Sequence, residues 1–138
     1  TSLIPIMQEK KVGRIINIIS ISVKAPIDNL GVSNTVRWAM ASWAKTLSNE
    51  VAEYGITINN ILPGFTDTER LQSLLKNRAI NLNKTIKEIT NSTILNIPAK
   101  RFGKPEEVAD ATSFLCSKSA SYINGINLPI DGGFSKSL

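Results

Sequence analysis

Ser33 and Arg37 stand four residues apart in the stretch GVSNTVRWAM, and Ser20 ends an isoleucine-rich run thirteen residues before Ser33. Residues four apart on a helix share a face, so this hydroxyl and this guanidinium could orient one ligand together. A serine hydroxyl donates one hydrogen bond and accepts others. The guanidinium is permanently charged and could hold a ribose or a carboxylate, but it is a poor proton donor. The pair is suited to orienting and ill suited to relaying protons. Each residue also has a plainer use. Ser20 could bond a loop amide, Ser33 could cap the helix as serine commonly does, and Arg37 could lie on the helix's polar side.

The rest of the composition narrows the chemistry. The 138 residues contain no histidine, so a Ser-His-Asp hydrolase and a histidine-based zinc site are excluded within this chain; no metal ligands are assigned. The single cysteine, Cys116, cannot form an intrachain disulfide. With no export signal, a reducing cytoplasm is the expected location. Cys116 lies in ATSFLCSKSA, on an apolar helical pattern, and is expected to be a buried structural thiol rather than a nucleophile. The net charge of +5 could suggest nucleic acid, but the basic residues are scattered. Their densest cluster, Lys10, Lys11 and Arg14, is short and has no interleaved aromatics, so it reads as solvated surface. No apolar run approaches the roughly 20 residues that span a bilayer. The first residues, TSLIPIMQEKKVG, lack a signal-peptide pattern and an initiator methionine, so the chain is read as beginning partway through a longer product.

The elements that must position these residues follow from periodicity. GRIINIIS, residues 13–20, is a nearly continuous apolar run and predicts a strand buried on both faces, as in a parallel sheet covered by helices. Residues 33–53 change to helical period, with Val36, Met40, Trp43, Leu47 and Val51 forming one apolar stripe. Gly55 is a natural helix stop. ITINNILPG then returns to a strand and ends at Pro63-Gly64, which completes a strand–helix–strand unit with a right-handed crossover expected. Beyond it, two short amphipathic helices are expected around an asparagine-rich break at residues 81–83. Pro105, Glu106 and Glu107 suit the first turn of another helix. INGINLPIDGG closes with a short strand and a glycine turn. Three strands with covering helices make half of a doubly wound α/β sheet. The first strand is expected to leave an open edge, a feature that soluble proteins normally cover or pair.

Four stretches together resemble the C-terminal half of the short-chain dehydrogenases/reductases: GRIINIIS, the long helix after it, EYGITINNILPGFTDT, and RFGKPEEVADATSFLCSKSASYINGINLPIDGG. The nearest flavour is the 3-oxoacyl-[acyl-carrier-protein] reductase-like and glucose dehydrogenase-like branch. The resemblance covers nearly the whole chain. It implies a Rossmann-type α/β fold of about three parallel strands, with residues 1–138 forming the C-terminal part of a single domain. Residues 69–97 match a substrate-lid-like helical insertion.

The resemblance also implies roles for particular residues. The family's catalytic serine falls on Ser20, its tyrosine on Ser33 and its lysine on Arg37, and the helix length leaves no gap that would restore a tyrosine. In the family the tyrosine protonates the substrate oxygen as hydride moves, and the lysine lowers its pKa and holds the nicotinamide ribose. Serine is a much weaker acid than a phenol of pKa about 10, so proton relay is expected to be impaired. Arg37, Pro63, Gly64 and Thr68 would lie toward the cofactor, NAD or NADP, although Thr68 could equally cap the next helix. The family's glycine-rich phosphate loop is not found in these residues, so this chain alone is not expected to bind the cofactor. The implied substrate is a small carbonyl or alcohol. The implied partners are further copies or the missing N-terminal half, with neither nucleic acid nor membrane. Trp38, Trp43 and Phe134 are candidate contacts, because family members commonly assemble through the long helix and the last strand and helix. A non-catalytic relative that binds a nucleotide or a partner is the alternative.

Overall fold

The computed structural model describes residues 3–137. Its three strands, β1 (Gly13–Ile18), β2 (Ile56–Pro63) and β3 (Asn127–Ile130), form one parallel sheet in the order β1-β2-β3. Ile18 faces Ile61 across the first pair, and Pro63 faces Ile130 across the second. β2 is buried along almost its whole length, whereas β1 is mostly half-buried and Ile18 is 49% exposed. The burial expected of the isoleucine run is therefore reached by the central strand. β1 falls short because no described strand lies on its outer side.

Helix α1 (Ile4–Lys10) precedes the sheet and was not foreseen from sequence. It lays Met7 over Gly13, where an added Cβ would meet the Met7 sulfur at 2.6 Å. The long helix α2 runs from Gly31 to Val51 and continues through one 3₁₀ turn, Ala52–Tyr54, to Gly55. Gly55 adopts φ 70°, and a side chain there would also strike the Lys11 carbonyl oxygen at 2.6 Å. Its role as helix stop is therefore fixed twice.

The apolar stripe of α2 does not face the core as expected. Val36, Met40 and Trp43 are 57%, 38% and 42% exposed, while Ala41, Ala44, Ser48 and Val51 form the buried face. Small residues let the helix approach β2 closely, leaving the bulky side chains on the outer surface. Only Leu47 and Val51 of the expected stripe contribute to the core beneath the helix.

After β2 come α3 (Glu69–Asn81) and α4 (Ile86–Leu95), joined by a turn in which Asn83 has φ 50°. They pack on each other through Leu71, Leu75, Ala79 and Ile89, with Phe65 and Phe102 beside them. Helix α5 (Pro105–Cys116) starts at its proline, and Glu107 accepts a hydrogen bond from the Lys104 amide at 2.7 Å. It buries Leu115 against Ile61. Cys116 is exposed, contrary to the buried thiol expected, because the helix turns Leu115 inward and its last residue outward.

α2 packs on Ile58 and Leu62, whereas α5 packs on Ile61. Alternate residues of a strand face opposite ways, so the two helices cover opposite faces of the sheet. Both connections step in the same direction across it, and they therefore cannot share a hand. At most one obeys the right-handed preference of parallel crossovers.

Candidate functional site

Ser20, Pro63 and Gly64 all lie at the carboxyl end of the sheet, where open α/β sheets bind ligands. Ser20 follows β1 in extended conformation, and its hydroxyl accepts a hydrogen bond from the Ser22 amide at 3.1 Å, capping the short 3₁₀ turn Ile21–Val23. The Trp38 indole N–H donates to the Ser22 carbonyl at 2.8 Å, which ties that turn to α2. The loop between them is closed by Asn34, whose amide donates to the Ile27 carbonyl at 2.9 Å and accepts from the Ile27 amide at 3.4 Å. Asn29 completes the approach with φ 62°, a conformation asparagine tolerates better than most residues. Asn29 and Asn34 were not singled out from sequence. The Asp-Asn pair just before a helical pattern was the available turn signal.

The loop delivers α2 with Leu30 at its N-cap and no side-chain cap. Ser33, in the first turn, therefore does not serve as the cap, and its exposed hydroxyl makes no hydrogen bond with any described residue. Arg37 is half-buried one turn later and makes no hydrogen bond or ion pair with any described residue. Ser33 and Arg37 line one open depression with Asn29, Leu30, Gly31, Val32 and Val36. Ser20 is not part of that lining. The structure thus brings together two of the three expected catalytic positions and places the third at the strand end.

Among the expected cofactor contacts, Gly64 donates its amide to the Ile130 carbonyl at 3.0 Å and packs against Asp131. Burial pushes the Asp131 carboxyl up, but hydrogen bonds from Ser135, Gly133 and Phe134 outweigh it and hold the group below its ordinary range. Thr68 caps α3: its hydroxyl accepts from the Leu71 amide at 3.3 Å and donates to the Thr66 carbonyl at 3.3 Å. Phe134 is half-buried. It packs edge-on against Phe65 at 5.1 Å and closes the cluster of Ile19, Ile21, Val23, Ala41 and Leu62. A second hollow, about 90 Å³, is lined in part by Phe65, Arg101, Glu107 and Asp131. Its Arg101 and Glu107 satisfy each other, so it reads as a packing space rather than a ligand site.

With this geometry in view, comparison with known proteins defines the class. The chain belongs to the short-chain dehydrogenase/reductase family. The family model described as enoyl-(acyl carrier protein) reductase matches residues 1–135. The NADPH-dependent reductase BacG of Bacillus subtilis is 34% identical over 137 residues, covering 96% of this chain and 51% of that protein. The 3-oxoacyl-[acyl-carrier-protein] reductase FabG of Vibrio cholerae is 35% identical over 129 residues, covering 92% of this chain and 48% of that protein. Among solved structures, YwfH, an NADPH-dependent reductase involved in bacilysin biosynthesis, superposes with TM-score 0.91 at 33% identity, covering 97% of this chain and 51% of that one. L-sorbose reductase from Gluconobacter frateurii gives TM-score 0.89 at 33% identity, with 99% and 52% covered. The fold is the C-terminal half of a Rossmann-type doubly wound sheet. The chain spans about half the length of the curated relatives it matches.

Proposed function

We propose that the intact protein is an atypical NAD(P)-dependent oxidoreductase of small carbonyl or alcohol substrates, with residues 1–138 as the C-terminal part of its single Rossmann-type domain. One observation carries this reading. Ser33 and Arg37 share an open depression at the start of α2, and neither side chain is engaged elsewhere among the described residues. A purely structural pair would be expected to spend its polar atoms on the fold, as Thr68 does.

A bound nicotinamide would supply or accept the hydride. The residues of this chain would do the rest. The unpaired Arg37 guanidinium fits a ribose hydroxyl pair, which it can meet with two donors. Pro63 and Gly64 would wall the carboxyl end of β2, and Thr68 retains one acceptor site on its hydroxyl. Ser20 and Ser33 would hydrogen-bond the substrate oxygen. Neither is acidic enough to replace a phenol, and Arg37 does not give up its proton near neutral pH. Proton delivery is therefore the weak step, and general acid catalysis of this kind is typically worth about 10²–10⁴-fold.

No glycine-rich phosphate-holding loop is found in these residues, so cofactor binding is assigned to the intact protein and not to this chain alone. Small-molecule turnover in the cytoplasm by a homo-oligomer is the accompanying expectation. The test is NAD(P)H oxidation by the intact protein with simple ketones and 3-oxoacyl thioesters. Turnover far below that of FabG is expected, and FabG-like rates would show that another group delivers the proton. If no cofactor binding is detected by isothermal titration, the second reading stands: a non-catalytic relative that keeps the fold to bind a partner. The missing tyrosine is what favours that second reading.

A further inference from the structure

The two faces of the sheet differ in how their polar side chains are satisfied. On the face covered by α2, Asn17, Asn60 and Asn127 stand in register across the three strands. The Asn17 amide donates to the Asn60 side-chain carbonyl at 2.9 Å, and the Asn60 amide donates to that of Asn127 at 2.7 Å. On the face covered by α5, Arg14 of β1 and Thr57 of β2 are register partners at the amino end of the sheet, the end opposite Ser20. Each carries a buried polar atom that bonds no described residue, Nε of Arg14 and Oγ1 of Thr57. Thr57 is only 4% exposed. The large majority of buried polar side-chain atoms are hydrogen-bonded, so two orphans side by side point to a shared partner.

Sequence groups Arg14 with Lys10 and Lys11 as solvated surface, but the residue is half-buried. Its Nη1 donates to the Gly13 and Gly55 carbonyls at 2.9 and 3.2 Å, and these two bonds fix the plane of the guanidinium. The edge formed by Nε and Nη2 makes no hydrogen bond or ion pair with any described residue. We infer that this edge and the Thr57 hydroxyl form a carboxylate-binding site. One carboxylate oxygen would sit on Nε, the other on Nη2, and the hydroxyl would donate to the nearer of them. Two parallel N–H donors match a carboxylate in fork geometry. A water brings one oxygen and a peptide carbonyl brings no charge, so either would leave a partly buried cation uncompensated. The carboxylate comes from an acidic side chain outside these residues, as the chain spans about half the length of its relatives, or from a small free acid. The inference does not depend on whether Ser33 and Arg37 catalyse anything.

The test is NMR of the isotope-labelled intact protein, with the Arg14 Nε–H assigned through its own side-chain carbons. Its exchange with water is expected to be slowed roughly tenfold to a hundredfold relative to free arginine, the scale of a hydrogen bond to a charged group. A coupling across the hydrogen bond, from Nε to a carboxyl carbon, identifies the partner. Coupling in the protein without additive assigns the carboxylate to a side chain. Coupling and slow exchange that appear only with labelled acetate, and saturate, assign it to a free acid; either outcome supports the site. Thr57→Val, which keeps the shape and removes the hydroxyl, should lose roughly twofold to tenfold of the protection. The wild-type measurement alone decides the question if Thr57→Val folds poorly. Exchange at the free rate with and without acetate, slow exchange coupled to no carboxyl carbon as a bridging water would give, or unchanged protection in a folded Thr57→Val would each overturn the inference.

Discussion

Arg101 and Glu107 hold each other by both ends: the two guanidinium nitrogens Nη1 and Nη2 donate to carboxylate oxygens Oε2 and Oε1 at 2.7 and 2.6 Å. The same carboxylate accepts from the Lys104 amide, so one side chain joins the loop before α5 to the helix start. Arg101, followed by the Lys104 amide, draws the Glu107 carboxyl down from 4.5 to about 2. A group depressed on folding stabilises the native state above its unfolded pKa and loses that contribution as pH falls through the folded one. Stability should therefore decline between the ordinary carboxylate range and about pH 2. Urea midpoints measured across that window should flatten in Glu107→Gln, and an unchanged slope would count against the pair.

Gly64→Ala should destabilise the fold by roughly 1–3 kcal/mol, the usual cost of overpacking. Its Cβ would fall 2.6 Å from the Asp131 Cβ and 2.8 Å from the Asp131 Cα, and the backbone of the D-G-G turn cannot swing aside as a side-chain tip can. A denaturation midpoint equal to wild type would show that β2 and the closing turn are less tightly apposed.

Thr68→Ala should cost about 1 kcal/mol through loss of the α3 cap, and Thr68→Ser should cost much less because it keeps the hydroxyl. Chemical denaturation of the three proteins gives the comparison. Cofactor titration of the intact protein then separates the uses of the residue: weaker NAD(P)H binding in Thr68→Ala but not Thr68→Ser would add a cofactor contact to the cap.

Ser33→Tyr combined with Arg37→Lys should raise carbonyl reduction by the intact protein, toward the 10²–10⁴-fold that general acid catalysis typically supplies. Each single change should do much less, because a phenol of pKa about 10 reaches working range only beside a suitably placed cation. Folding should be unaffected, since neither side chain bonds any described residue. A double variant no faster than wild type in a cofactor-saturated assay would remove this depression from the reaction.

Much of this was legible in residue order. The strand–helix–strand unit, the stop at Gly55, the break at Asn83 and the proline start of α5 were all read correctly, because each depends on local backbone chemistry. What failed depended on which surface the chain would cover. The bulky stripe of Val36, Met40 and Trp43 outweighed Ala41 and Ala44 in any hydrophobicity count, yet the alanines give the close approach to β2. Cys116 followed the same error, since a helical apolar pattern does not say where the last turn faces. α1 went unseen because it is seven residues long and buries none of them fully. For the candidate site, the grouping of Ser33 with Arg37 was legible from their spacing, but the freedom of Ser33 from capping was not. It depends on Leu30, not Ser33, occupying the N-cap.

The opposed hands of the two crossovers bear on the order in which the sheet is assembled. Asn17 and Asn60 are 43 residues apart, whereas Asn60 and Asn127 are 67 apart. Closing the longer span costs more chain entropy, and pairing between distant residues slows folding. The winding that brings β2 beside β1 also cannot simply be repeated to deliver β3, because the second connection must pass over the other face. β1, α2 and β2 would then form the early unit, with β3 docking last and opening first in native-state exchange. The turn of Asp131 and Gly132 would ride on the part of the molecule that closes latest.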